Sequence, residues 1–322
     1  MPVYRSALQV VTTRLGDVRQ LDAEFLTVCK RDGTIARSAE SSQLPENKPK
    51  NRYCNVLPFD QTRVELAASQ PASSYINASH VAFNESGPGG VVCSYIAAQG
   101  PLTSTVADFW AMALQTRASA IVMLTNIIEN KVSKCVAYFP PAIGQVINAG
   151  SVDVKCTAMA EVNSDVTMRA MQITGMGADG ARASATVPHF HFHSWPDHGT
   201  PQESAAIRTL CDALPVDRAG RPVIVHCSAG IGRTGTFIAI DVVRMRLRAL
   251  NGVAEKGGAW GAAEVQNALA IPELVHQLRQ QRMGMVQTVD QYRFIYHALC
   301  EEMEDTVSHS SASVDGSSAW KG

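Results

Sequence analysis

Several features are missing from this sequence, and each absence closes off a class of protein. No stretch approaches the ~18 consecutive apolar residues of a membrane-spanning helix. The N-terminal MPVYRSALQVVTTRLGD has no continuous apolar core of the kind a secretory leader needs. Pro2 excludes N-myristoylation, and SSAWKG at the far end is not a prenylation box. The eight cysteines (29, 54, 93, 135, 156, 211, 227 and 300) form no CxxC pair, and no His/Cys cluster has zinc spacing. Reduced thiols in a cytoplasmic protein are therefore expected. Charge is nearly balanced, with 28 Lys and Arg against 29 Asp and Glu, so no global field favours nucleic acid or a membrane surface. There is no internal repeat. What remains is a chain of 322 residues, 46% hydrophobic and 18% charged, able to bury a sizeable core.

Residues 4–30 have helical spacing (Leu8, Val11, Leu15, Val18, Leu21), and 31–50 read as a long polar surface connection. Strands are expected around 64–66, 73–83, 91–98, 120–124, 134–139, 152–159, 165–173 and 187–194. Helices are expected at 103–116, 203–214, 237–250, 272–283 and 289–303, with 251–262 as a Gly-rich loop. Uneven alternation of strands and helices implies an α/β (α+β) domain over 1–305, a mixed sheet flanked by helices. Residues 306–322 are serine-rich and nearly devoid of large apolar side chains, as in a disordered tail.

The most informative stretch is Val223 to Gly235, VIVHCSAGIGRTG. It reads as a buried strand, a glycine-containing loop and a helix start. Such a loop can turn the N–H groups of Ser228, Ala229, Gly230, Ile231 and Gly232 inward to form an anion cradle. Inward amides, the helix dipole and Arg233 favour Cys227 as thiolate, a competent nucleophile. Arg233 offers a planar fork for phosphate oxygens, and Thr234 can hydrogen-bond the sulfur or a leaving group. The combination suits attack by sulfur on a phosphoester.

HCSAGIGRTG resembles the signature loop of the tyrosine-specific, non-receptor protein tyrosine phosphatases. NRYCNVLPFD (51–60), YINAS (75–79), YIAAQGPL (95–102), DFW (108–110), HFHFHSWPDHGTP (189–201) and VQTVDQYRF (286–294) follow the family's order. The resemblance implies a single domain around a highly twisted mixed sheet, and a cysteinyl-phosphate mechanism with no metal or cofactor. It assigns Asp197 as general acid and base on a mobile loop, with Trp195, Pro196 and Gly199 around it. Tyr53 would wall a deep pocket, Gln287 would position water with Gln291 beside it, and Glu129 would brace Arg233. Lys134 would contact the acid loop, and His226 would tune the cysteine through hydrogen bonds. Asn55 stands where the family usually has Asp, Cys54 where it has a basic residue, and His198 where it has Phe. The implied partners are phosphotyrosine proteins of signalling pathways, with the enzyme a monomer. The 31–50 connection and the 251–262 insert look lineage-specific, of a protozoan type.

Two other readings compete: a catalytically weak phosphotyrosine-binding protein, kept alive by His198 and Asn55, and a phosphatase of broader range acting on other phosphoesters or phosphoinositides. His189, His191 and His193 share one strand face, but no carboxylate or cysteine in the same stretch completes a metal set. Lys48, Lys50 and Arg52 form a basic rim that could favour acidic peptides, and Arg279 could hold an additional anion.

Overall fold

Val223–His226, the apolar run before the glycine loop, is an interior strand of a nine-stranded mixed sheet in the computed structural model. The structure describes residues 2–315 except 35–36, 68–73, 178, 197–198, 217 and 219. In chain order, helices α1 (Pro2–Leu15) and α2 (Val18–Arg31) precede strands β1 (Arg63–Glu65), β2 (Tyr75–Asn84) and β3 (Val92–Ala98). Then come α3 (Val106–Gln115), β4 (Ala120–Met123) and a small hairpin of β5 (Ile128–Glu129) and β6 (Val132–Ser133). Strands β7 (Val146–Ala149), β8 (Val152–Asn163), β9 (Val166–Met176) and β10 (Arg182–Phe192) follow, then α4 (Ala205–Ala213) and β11 (Val223–His226). The chain finishes with α5 (Gly232–Glu255), α6 (Ala262–Ala268), α7 (Ile271–Gln281) and α8 (Val289–Asp315).

The sheet order is β1-β2-β3-β11-β4-β10-β9-β8-β7. Its centre, β3-β11-β4-β10, is parallel, and both flanks are antiparallel meanders. Both faces of the centre are covered, which is why its strands read as unbroken apolar runs. Val223 and Val225 point into a core shared with α1, α5, α7 and α8, while Ile224 points into a second core with Phe109, Trp110 and Met112 of α3. β11 thus delivers Cys227 from a strand held by neighbours on four sides.

Four expectations need correction. The 4–30 helix is two helices, because Gly16 ends the first and the Asp17 carboxylate caps the second by accepting from the Gln20 amide at 2.9 Å. Residues 134–139 form no strand. Their backbone bonds go to loops instead, Lys134 N–H to Ile127 and Val136 N–H to Pro101. Helix α5 continues to Glu255, where Gly257, at φ +74°, reverses the chain, and the unanticipated α6 begins at Ala262. Helix α8 runs ten residues into the stretch expected to be a tail. Met303 is buried and Arg208 pairs with Asp305 at 2.7 Å just before that stretch, and Val307 within it packs on the core, so its first turn has a surface to fold against. Residues 316–322 lie outside the described ones.

Candidate active site

A peptide's C=O and the following N–H point in opposite directions, so whatever holds the carbonyls of the loop decides where its amides aim. Four successive carbonyls are held from behind the loop. The His226 ring contacts the Cys227 oxygen through Nδ1 at 3.1 Å, and the Gly100 amide donates to the Ser228 oxygen at 2.9 Å. Arg282 donates to the Ala229 oxygen at 3.0 Å and to the Gly230 oxygen at 2.8 Å. The amides of Ser228, Ala229, Gly230 and Ile231 are thereby turned to the opposite side. The Gly230 N–H meets the Cys227 sulfur at 3.3 Å, as that geometry requires. Gly230 has φ +74°, and a Cβ there would lie 2.1 Å from the Ala98 oxygen, so both conformation and space demand glycine. Arg282 is fully buried, and desolvation lowers its pKa to about 10 against the opposing pull of Tyr75 and Cys227. It remains a cation at neutral pH.

The amides face a cavity of about 290 Å³. Tyr53, Asn55, Glu129, Lys134, Cys227, Ser228, Ala229, Gly232, Arg233, Gln287 and Gln291 line it, bringing together residues 53 to 291. Arg233 and Glu129 form a two-pronged pair at 2.7 and 2.8 Å, both nearly buried. The second prong of Arg233 also reaches the Pro196 carbonyl at 3.0 Å, and the first reaches that of Leu124 at 3.0 Å. Glu129 accepts further bonds from the Thr125 hydroxyl and the Asn126 amide, both at 2.9 Å. It is presented by the β5-β6 hairpin, whose turn residues Asn130 and Lys131 both have positive φ, as a tight two-residue hairpin turn requires.

Tyr53 stands on the opposite wall. Its hydroxyl lies 2.9 Å from that of Ser228, which donates to the Lys134 carbonyl at 3.0 Å. Gln291 accepts from the Gln287 amide at 2.9 Å, and both glutamine side chains crowd the space where a Gly232 side chain would sit. Val286, just before them, has φ +59°, unusual for a β-branched residue. It is held there because its amide donates to Ile231 at 3.1 Å and its carbonyl accepts from Arg279 at 2.7 Å. Thr234 is fully buried, and its hydroxyl has no partner among the described residues. Trp195 is buried, with its ring 6.0 Å from those of both Phe192 and Phe294. Asp197 and His198 lie outside the described residues.

Below the cysteine, the Tyr138 hydroxyl lies 2.7 Å from Nε2 of both His189 and His226. Burial drives the His189 pKa well below its ordinary value and that of His226 down to about 4, so both rings are neutral. Tyr138 and Arg282 were not singled out from sequence, and His189 was weighed only as a metal ligand; the signal for Arg282 is a cation three residues before the buried Met285-Val286. The basic rim resolves otherwise than expected. Arg52 donates to the carbonyls of Gly100, Pro101 and Ser133, and Lys50 pairs with Asp108 at 3.1 Å. Arg279 holds no outside anion, because Asp32 at 2.6 Å and two backbone carbonyls occupy it.

A cysteine under inward amides, beside a braced arginine, is equipped for phosphoester chemistry. The protein-tyrosine phosphatase family profile matches residues 47–301. The chain belongs to the protein-tyrosine phosphatase family. It is 35% identical over 270 residues to protein-tyrosine-phosphatase PTP1 of Arabidopsis thaliana, covering 83% of this chain and 74% of that protein. To tyrosine-protein phosphatase non-receptor type 20 of Mus musculus it is 33% identical over 306 residues, covering 94% of this chain and 65% of the mouse protein. To phosphatidylinositol phosphatase PTPRQ of Homo sapiens it is 36% identical over 278 residues, 84% of this chain and 11% of that one. As a member of the family it is a phosphoric-monoester hydrolase with protein-tyrosine-phosphatase activity. Among the described residues no helix is long and apolar enough to cross a membrane.

Proposed function

We propose that this phosphatase acts on phosphotyrosine proteins through a cysteinyl-phosphate intermediate, with each step assigned to a named residue. The Cys227 sulfur attacks phosphorus, the P–O bond to the tyrosine breaks, and Asp197 gives its proton to the departing phenolate. Water positioned by Gln287 then attacks phosphorus, its proton passes to Asp197, the P–S bond breaks and inorganic phosphate leaves. Charge on the equatorial oxygens is met by the inward amides and Arg233, and Thr234 supplies a hydroxyl to the sulfur. The observation that carries this reading is the set of four outward-held carbonyls, with the Gly230 amide on the sulfur.

Selectivity for tyrosine is assigned to Tyr53, whose ring walls the pocket and matches a phenol better than a short serine side chain. Asn55, exposed at the rim, would meet the peptide backbone with a neutral acceptor. We read the protein as a cytoplasmic monomer with no nucleic-acid partner, in keeping with its net charge of −1 and eight free cysteines. The test offers phosphotyrosine peptide, phosphoserine peptide and a phosphoinositide to wild type, Cys227→Ser and Asp197→Ala. Turnover of the first substrate alone is expected, abolished in Cys227→Ser and slowed by about 10²–10⁴-fold in Asp197→Ala. A wild type inert towards phosphotyrosine refutes the reading, and equal rates on the other substrates refute the selectivity.

A further inference from the structure

The donors that hold the loop carbonyls are not alike. The Gly100 amide and the Arg282 guanidinium donate whatever their neighbours do. The fourth carbonyl, that of Cys227, depends on the His226 ring, and a neutral imidazole donates from one nitrogen only. A carbonyl oxygen can only accept, so the 3.1 Å contact places the His226 proton on Nδ1 and leaves Nε2 bare. That bare nitrogen accepts the single proton of the Tyr138 hydroxyl at 2.7 Å. Having given that proton away, the Tyr138 oxygen can only accept from His189 Nε2, also at 2.7 Å. His189 therefore carries its proton on Nε2, and its Nδ1 is bare and buried, with no hydrogen-bond partner in another described residue. Were the polarity reversed, Tyr138 would donate to His189, His226 would donate from Nε2, and a bare Nδ1 would face the Cys227 oxygen, lone pair against lone pair.

We infer that His189, acting through Tyr138, is a positioning residue that keeps His226 donating to the Cys227 carbonyl and the Ser228 amide turned into the phosphate pocket. The inference rests on the phosphatase reading of that pocket. The surroundings keep the relay neutral. Arg169 of β9, the register partner of His189, lies over the Phe139 ring at 5.1 Å, and Phe139 packs on His189 at 4.5 Å. Arg169 and His191 disfavour a charge on His189, and Arg52 and His191 disfavour one on His226. Cys135 faces Tyr138 as a thiol whose pKa burial pushes up to about 12. From the other side, α3 presents Phe109, 5.6 Å from His226, while its Asp108 is engaged by Lys50.

The experiment compares His189→Gln, whose amide can donate to Tyr138, with His189→Glu, whose ionised carboxylate can only accept and is held ionised by Arg169. Ring-nitrogen NMR of the full chain reads the His226 tautomer, and phosphotyrosine-peptide hydrolysis reads kcat. Wild type and His189→Gln should show the His226 proton on Nδ1 and similar kcat. In His189→Glu the proton should move to Nε2, and kcat should fall by about 10- to 100-fold through misplacement of the loop. Adding Tyr138→Phe to His189→Glu should restore part of the loss, because without the hydroxyl the reversal cannot reach His226. A wild-type His226 protonated on Nε2 overturns the inference, even if His189→Glu fails to fold. So does a folded His189→Glu with its Nδ1 proton unmoved, or a double variant whose losses simply add. Wild-type inactivity on phosphotyrosine would instead refute the phosphatase reading, and leave the tautomer assignment to the NMR result alone.

Discussion

Glu129 makes four bonds with two oxygens, and the division between them sets the outcome of replacing it. One oxygen accepts from the Thr125 hydroxyl, the Asn126 amide and one prong of Arg233; among the described residues the other accepts from the second prong alone. In Glu129→Gln the side chain can keep its oxygen in the threefold position. The new NH₂ then faces the second Arg233 prong, donor against donor, and a guanidinium only 8% exposed loses the negative charge of Glu129. Breaking a buried pair from one side costs about 3–5 kcal/mol, and three surviving bonds place Glu129→Gln near about 3 kcal/mol. Glu129→Ala removes all four bonds at once and must cost more. Urea denaturation measures both values through the shift in midpoint at constant slope. In phosphotyrosine-peptide kinetics, an Arg233 freed from one prong should lower kcat/KM by up to about 10²-fold. Wild-type midpoint and kcat/KM in Glu129→Gln, or Glu129→Ala no worse than Glu129→Gln, would refute the reasoning.

Stability should fall as pH drops below neutrality. His189 and His226 are buried and His191 half-buried, all with lowered pKa, the last two of the three in chain order to about 4 against 6.5 for an exposed ring, so the unfolded chain takes up protons that the fold refuses. Their contribution is complete above about pH 6.5 and is lost towards pH 4, at about 1.4 kcal/mol per pH unit for each ring; a urea midpoint that stays flat from pH 7 to 5 contradicts this. Gly230→Ala should abolish turnover with phosphotyrosine peptide, since the Ala98 oxygen 2.1 Å from the added carbon is main chain and cannot step aside; activity within tenfold of wild type would show that the loop can relax. Asn55→Asp should lower KM for phosphotyrosine peptides and leave that for p-nitrophenyl phosphate unchanged, because only a peptide presents backbone amides to the rim. Equal changes for both substrates would remove Asn55 from peptide recognition.

The parts of the site legible in the sequence are those whose neighbours in the chain are also neighbours in space. VIVHCSAGIGRTG is a strand, a loop and a helix start, and the same segment carries the sulfur, the amides and the guanidinium. Tyr53, Glu129 and Gln287 were reached by resemblance to family motifs, and the cavity gathers all three around Cys227. Secondary structure was read well where an apolar run was bounded by turn residues, as in β11, or recurred at helical spacing, as in α7. It failed where tertiary partners replaced local patterning. Residues 134–139 look like a strand because they are apolar, yet their amides bond to loops. The stretch after residue 305 looks unstructured by composition, yet α8 has a surface to lie on.

What the motif could not disclose is the outward face of its own loop. A sequence signature shows which atoms can meet a phosphate, but an amide points inward only if its peptide's carbonyl is held outside. The holders are Arg282, 52 residues after Gly230, and the ring pair joined by Tyr138, 88 residues before His226. As isolated residues each resembles ordinary packing, a cation near a turn or an aromatic in a core. Their effect is orientational and adds no contact to the substrate. Damage to them should therefore appear in kcat more than in KM, because a phosphate can still enter a pocket whose amides no longer converge on the transition state.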